Sequence, residues 1–271
     1  MPRPHAHDVA KVQFRSHDSP SARRARNTSV QPSHYDADMP SRLLAVFAAL
    51  FAAIALVAGC SSSSDNSTKD LPDAATLLQQ SSETTKAQTS VHLLLTVTGE
   101  IKELPIESLE GDLTTTPAVA AQGKANLIFL GQKLDDIGFV VAEGNLFATL
   151  TSGGAYQDFG RADAIYDVSA ILNPETGLAN VVANFSDPKA DGRETINGVE
   201  TVRINGTISA EAVNGIAPQI AATGPVPGTA WVAEDGNHEL MQAKMEPTPG
   251  NSVTMSMSDW GKSVTVTKPA I

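Results

Sequence analysis

The stretch SVHLLLTVTGEI, Ser90 to Ile101, decides the fold. Its apolar residues recur at every second position, so that Val91, Leu93, Leu95 and Val97 share one face. KANLIFL groups Ala125, Leu127 and Phe129 in the same way. In LDDIGFVVAEGNLFATL, Ile137, Phe139 and Val141 share a face, Glu143 to Asn145 turn, and Leu146, Ala148 and Leu150 return, which predicts a hairpin. Further strands are predicted in VETVRINGTIS with Val202 and Ile204, TAWVAE, HELMQAKME, SVTMSMSDW with Val253, Met255 and Met257, and SVTVTK with Val264 and Val266. The alternate positions are mostly Ser, Thr, Asn or charged. One wet face and one apolar face predict an antiparallel sheet.

Helical spacing interrupts this pattern three times. Asp73 can cap a helix in AATLLQQSSETTKA, where Ala74, Leu77, Leu78 and Ser81 fall on one face. In IYDVSAILNPETGLANVVANFSD the apolar positions Ile165, Val168, Ile171 and Leu172, then Leu178, Val181, Val182 and Phe185, are helically spaced, with a break at Asn173-Pro174. Ser209 opens a third short helix in SAEAVNGIAP, closed before Pro218. The expectation is an α+β domain of eight to eleven strands with three or more short helices on one face of a large sheet.

Ahead of this domain, Leu43 to Ala58 is a run of sixteen residues without charge or proline, directly after Arg42. A bilayer-spanning helix needs about 20 apolar residues. The run instead fits the apolar region of a secretory signal. It ends in Val57, Ala58, Gly59 and Cys60, the single cysteine of the chain. This resembles the bacterial lipobox, in which a diacylglyceryl group is attached to the thiol and cleavage makes the cysteine residue one. The expected organisation is a mis-assigned or disordered leader over 1–38, a lipoprotein signal over 39–59 with translation starting at Met39, a flexible tether over 60–70, and a folded domain over 71–271. The protein is then exported and held by lipid at the outer face of the cell membrane, and extends to the cell wall.

Of the 19 basic residues 7 precede Cys60, and of the 30 acidic residues 4 do, so the mature part carries 12 basic against 26 acidic side chains, a net charge of −14. That excludes nucleic acid as a partner, since its binding rests on cations neutralising phosphates. It also leaves membrane attachment to the anchor. Within the mature part the histidines are His92 and His238, each on a strand without a second ligand beside it, and no metal or other cofactor is expected. There is no nucleophile elbow and no phosphate-binding glycine loop. The carboxylate pairs Asp135-Asp136 and Glu234-Asp235 point to opposite faces of their strands, which suits solvated edges. GDLTTTP and NPETGLAN look like turns and caps. The expectation is that the protein is not an enzyme.

The strand faces are Val, Leu, Ile, Ala and Met, with nine aromatic residues in the mature part, a lining suited to aliphatic chains. A sixteen-carbon chain offers roughly 12 kcal/mol on burial at about 0.8 kcal/mol per methylene. The same side chains could equally fill an ordinary core, and periodicity does not separate the two.

A resemblance does. The lipobox at Cys60, GDLTTTP from Gly111, ILNPETGLANVVANF from Ile171, GRETINGVETVRINGTISAEAVN from Gly192 and GNSVTMSMSDWGKSVTVTKP from Gly250 closely resemble the mycobacterial LppX/LprA/LprF/LprG lipoproteins, over nearly all of Leu71 to Pro269. The resemblance implies a strongly curved, half-open antiparallel barrel with helices on its concave face enclosing an apolar cavity, similar to the Lol-type lipoprotein carriers. It implies a carrier of triacylated glycolipids (phosphatidylinositol mannosides, lipomannan, lipoarabinomannan) or triacylglycerol, working with a major facilitator export pump. The cavity lining then expected comes from Val91, Leu93 and Leu95, from Ala125, Leu127 and Phe129, from Ile137, Phe139, Val141 and Leu146, from the helical Val181, Val182 and Phe185, and from Met255 and Met257. At Ala125 a branched residue is expected in the family. Two alternatives stand beside this reading: a passive surface lipoprotein in host recognition or adhesion, and a lipid hydrolase.

Overall fold

Eleven strands pair consecutively into one antiparallel sheet in which the last strand closes back onto the first. The computed structural model describes residues 70–102 and 104–271; the lipobox, Cys60, the signal, the leader and nearly all of the tether lie outside the described residues. The strands are β1 (Ser90–Thr98), β2 (Ile106–Thr114), β3 (Ala120–Phe129), β4 (Gln132–Ala142), β5 (Asn145–Thr149), β6 (Tyr156–Arg161), β7 (Phe185–Ile196), β8 (Val199–Ile208), β9 (Val226–Ala233), β10 (Leu240–Thr248) and β11 (Asn251–Ser258). Their order across the sheet is β6-β5-β4-β3-β2-β1-β11-β10-β9-β8-β7, so β6 and β7 are free edges and the barrel is left open. A sheet this wide must curl, because each strand is rotated by roughly 20° against its neighbour.

Two pairs of facing glycines make the curling possible. Gly111 of β2 stands opposite Gly123 of β3, and a Cβ on Gly123 would lie 2.1 Å from the Glu110 carbonyl oxygen and 2.9 Å from Cζ of Phe139. The bare backbones approach each other there, and the Phe139 ring covers them. Gly206 of β8 stands opposite Gly228 of β9, under Phe185 and Ile208. Each half of the sheet thus has one glycine pair roofed by an aromatic ring.

Three α-helices lie on the apolar face: α1 (Ala74–Lys86), α2 (Leu178–Ala183) and α3 (Ala210–Ile216). The Asp73 carboxylate accepts from the Thr76 N–H at 2.8 Å and starts α1; Ser209 accepts from the Ala212 N–H and starts α3. Ahead of α2, the Asn173 side chain accepts from the N–H groups of Glu175 and Thr176, the turn that ends the preceding 3-10 segment Val168–Ile171. Buried Leu77, Leu78, Leu178, Val181, Val182, Val213 and Ile216 join Val91, Leu93, Ile204, Val232 and Met257 in one core. The Ser82 hydroxyl donates to the Ala179 carbonyl at 2.9 Å, tying α1 to α2.

Four sequence expectations are corrected. Gly111 to Thr114 of GDLTTTP is the end of β2, not a turn, because Gly111 occupies an inward position and hides the alternation. Phe185 opens β7 and does not extend the helical run. SVTVTK forms no strand: both neighbours of β11 are already taken, and the tail lies across the outer face. There Val266 packs against a second small cluster of Val140, Ala142 and Phe147, and Lys268 pairs with Glu143 at 2.8 Å. Phe129 is 61 % exposed, at the β3–β4 tip. It is the last residue of β3, and the register shift beside it places an extra residue in β4, between Leu134 and Ile137.

Candidate functional site

The strand register assembles the inward side chains into rows. One row crosses nine strands: Ile137, Ala125, Leu109, Leu95, Met255, Ala243, Ala230, Ile204 and Ala190. Beside it run Phe139, Gly123, Gly111, Leu93 and Met257, and beyond these Leu146, Val141, Ala121, Leu113 and Val91. Of the residues expected along an apolar lining, Val91, Leu93, Leu95, Ala125, Ile137, Phe139, Val141, Leu146, Met255 and Met257 therefore share this inner face. Val181 and Val182 face it from α2, and Phe185 covers the second glycine pair. Leu127 is half-buried beyond the register shift, and Phe129 is outside the inner face. Sequence reading missed Leu109, Leu113, Ala190, Ala230 and Ala243. The alternation of Leu109 and Leu113 was available, but Gly111 between them masked it.

The helices do not bury this face evenly. Along β1, Val91 and Leu93 are buried under them, while Leu95 and Val97, two and four residues further on, are only partly covered. Phe139, Leu146 and Ala243 are likewise half-buried against the core. The nine-strand row carries four alanines and the row beside it two glycines, and small side chains on one wall leave width for something else. Two surface hollows have a different chemistry. One, of about 220 Å³, is lined by Asn205, Gly206, Gly228, Thr229, Lys244 and Glu246; the other, of about 510 Å³, by Gln79, Gln80, Glu83, Asn237 and His238. Neither is the apolar space that the inner face would bound.

Charged groups occupy the opposite face and the rim. His92 Nδ1 lies 2.7 Å from Asp112, and its Nε2 lies 3.6 Å from Glu110. The Arg193 guanidinium clasps the Glu234 carboxylate through two hydrogen bonds of 2.6 Å, which holds Glu234 below the usual carboxylate range, and it donates to the Asp70 carbonyl. Arg203 bridges Asp191 and Glu194, and the Trp231 ring N–H donates to Glu194. Tyr166, half-buried, donates to the Ile216 carbonyl at 2.8 Å, and its hydroxyl is pushed up to about 12 by loss of hydration. Among the described residues no group of three or more His, Cys, Asp or Glu side chains could hold a metal ion. No helix among them is long and apolar enough to cross a membrane. Ser81 on α1 is buried, with its hydroxyl unpartnered.

An open antiparallel sheet whose apolar face is partly roofed by short helices is the architecture of the LppX and LprF lipoproteins. The chain belongs to the LppX_LprAFG lipoprotein family, which matches residues 73–266. It is 64 % identical over 225 residues to the lipoarabinomannan carrier protein LprG of Mycolicibacterium smegmatis, covering 83 % of this chain and 95 % of that protein. It is 50 % identical over 231 residues to the protein of the same name from Mycobacterium leprae, covering 85 % and 96 %. Among solved structures, LprF from Mycobacterium bovis superposes with a TM-score of 0.67 at 31 % identity, over 74 % of this chain and 98 % of that one. LppX from Mycobacterium tuberculosis gives 0.56 at 27 % identity, over 72 % and 98 %. The relatives from Mycolicibacterium smegmatis and Mycobacterium leprae are named as lipoarabinomannan carriers, and the family is a lipoprotein family.

Proposed function

We propose that the protein is a lipid-anchored carrier that binds triacylated glycolipids (phosphatidylinositol mannosides, lipomannan and lipoarabinomannan) and triacylglycerol against the inner face of its sheet. It moves them across the cell envelope together with a major facilitator export pump. The observation that carries this reading is the inner apolar face, whose cover along β1 falls from the buried Val91 and Leu93 to the partly covered Leu95 and Val97. A lipid chain laid there would dehydrate the side chains that the fold leaves half wet, Leu95, Val97, Leu109 and Ala243 among them. The curated relatives named lipoarabinomannan carriers point to the same class of cargo.

In this reading the signal over 39–59 exports the chain, Cys60 takes the diacylglyceryl group, residues 60–70 are the tether, and residues 71–271 bind the cargo at the outer face of the membrane and in the cell wall. Acyl chains enter between the sheet and α2, whose six residues are too few to hold a helix without tertiary packing. The glycan stays in water. Side chains on the inner face, Leu95, Ala125, Ile137 and Phe139 among them, set the width available.

The test is native mass spectrometry of the acylated full chain extracted from its own host. Co-purified triacylated lipid of defined mass is the expected result. A chain that always arrives empty would overturn the carrier reading in favour of a passive surface lipoprotein, and cargo recovered as deacylated fragments would point to hydrolysis.

A further inference from the structure

We propose that the tip of the β3–β4 hairpin, Ile128 to Leu130, is a membrane-docking element whose apolar side chains enter the acyl region of a phospholipid leaflet. Ile128, Phe129 and Leu130 are 40 %, 61 % and 89 % exposed, three large apolar side chains in a row at the apex of a hairpin. A Cβ on Gly131 would meet nothing within 4 Å, so among the described residues nothing covers that side of the apex.

The turn chemistry makes the composition pointed. Three hairpins of this sheet turn on the same two left-handed residues: Leu130-Gly131 at φ 50° and 76°, Glu143-Gly144 at 55° and 80°, and Asn197-Gly198 at 50° and 82°. The first position of such a turn favours Asn, Asp or Gly, whose backbones tolerate positive φ. Two of the three carry a polar residue there. The third carries a leucine, which is unfavourable both for the backbone and for hydration. Folding does not ask for Leu130, and an apolar phase relieves the larger of its two costs.

Charge and area identify that phase. From Ala125 to Leu134 the hairpin has no carboxylate, and its one charge, Lys133, is paired with Glu107 behind the tip at 2.5 Å. On a chain of net charge −11, this is a place where an anionic lipid surface can be approached without dehydrating an acid. The three side chains offer at most roughly 400 Å², far below the about 1,200 Å² that a stable protein contact buries, but enough for an interfacial anchor. The tip also stands at the end of the sheet where β1 reaches Leu95 and Val97, the partly covered part of the inner face. The inference deepens the carrier reading by assigning the surface at which lipid is exchanged, and rests on it for the nearby bilayer.

The experiment uses the acylated full chain with Leu130→Cys. With the Cys60 sulfur blocked, the new thiol is the single labelling site, and the unsubstituted chain, which should take no label, is the control. An environment-sensitive fluorophore at 130 is compared with one at Asn197→Cys, a turn of the same geometry, in phosphatidylglycerol vesicles containing lipids brominated along the acyl chain. Label at 130 should shift to the blue and be quenched at least about threefold more than label at 197. Equal quenching, or a label at 130 as wet as in the absence of vesicles, overturns the proposal. So does shielding in vesicle-free detergent solution that grows with protein concentration, which would mean contact between copies. A second variant, Phe129→Ser with Leu130→Asn, should slow lipid transfer between vesicles by about tenfold while retaining co-purified lipid and melting no lower than wild type. An unchanged transfer rate refutes the role in exchange. If neither protein carries lipid the carrier reading fails, and the quenching result still decides the docking proposal.

Discussion

Replacing Ala125 by tryptophan tests whether the inner face holds cargo. Ala125 is 7 % exposed, in the middle of the nine-strand row between Leu109 of β2 and Ile137 of β4, with Leu95 and Met255 further along. An indole there projects from the sheet into the space a lipid chain would occupy and displaces roughly four or five methylenes. At about 0.8 kcal/mol each this removes ~3–4 kcal/mol of cargo binding, a few hundredfold to about a thousandfold in Kd. Overpacking costs the empty domain about 1–3 kcal/mol, which a two-hundred-residue domain survives with a lower Tm. Extraction of a triacylated glycolipid from vesicles, followed by native mass spectrometry, reads the binding, and circular dichroism reads the fold. A variant that unfolds cooperatively and binds within about threefold of wild type would refute the placement of Ala125 against cargo.

Three further outcomes follow from named contacts. Gly123→Ala should destabilise the domain by about 2–4 kcal/mol, visible in thermal unfolding, because the added methyl would meet the Glu110 carbonyl oxygen and the Gly111 Cα, backbone atoms that cannot swing away. Tyr166, raised to about 12 by burial, keeps its proton in the folded state over a range where the unfolded chain loses it. Its contribution is complete below pH ~10 and is lost as pH rises toward 12, a fall of about 2–3 kcal/mol that urea titrations of wild type against Tyr166→Phe should isolate. Ser81→Ala should leave the empty domain as stable or up to about 1 kcal/mol more stable, since it removes a buried hydroxyl without a partner. A loss of cargo affinity in that variant would show that the hydroxyl serves the ligand.

Much of the fold was legible because an antiparallel sheet with one wet face writes itself in period two, as β1 does from Val91 to Val97. The α1 and α3 starts were legible because Asp73 and Ser209 carry the side-chain oxygens that the first turn needs. What escaped was decided by pairing across the sheet. Gly111 erased the pattern of β2, and β7 was disguised by Pro188, a left-handed Asp187 and two register shifts. SVTVTK has the composition of a strand, but the strand it follows, β11, already has β1 and β10 on its two sides. Phe129 was misplaced because it is the last residue of β3, at the hairpin tip, where alternation along one strand assigns a face but not the cover over it.

In the carrier reading, the short helices have an energetic role as well as a geometric one. Burying Leu178, Val181 and Val182 against the core is worth about 1.5–3 kcal/mol each, so lifting α2 from the inner face costs roughly 5–9 kcal/mol. One acyl chain taking its place returns about 12 kcal/mol before the cost of ordering it, so that much of the gross gain is offset by what it displaces. The same wall thus serves two occupants in turn, and the net affinity per chain is small. A carrier needs that balance, because a preformed empty cavity would bind each chain at nearly full strength and release it slowly. The alanines of the nine-strand row and the glycines beside it supply width once the helix moves, and α2, at six residues, has little backbone order of its own to oppose the movement.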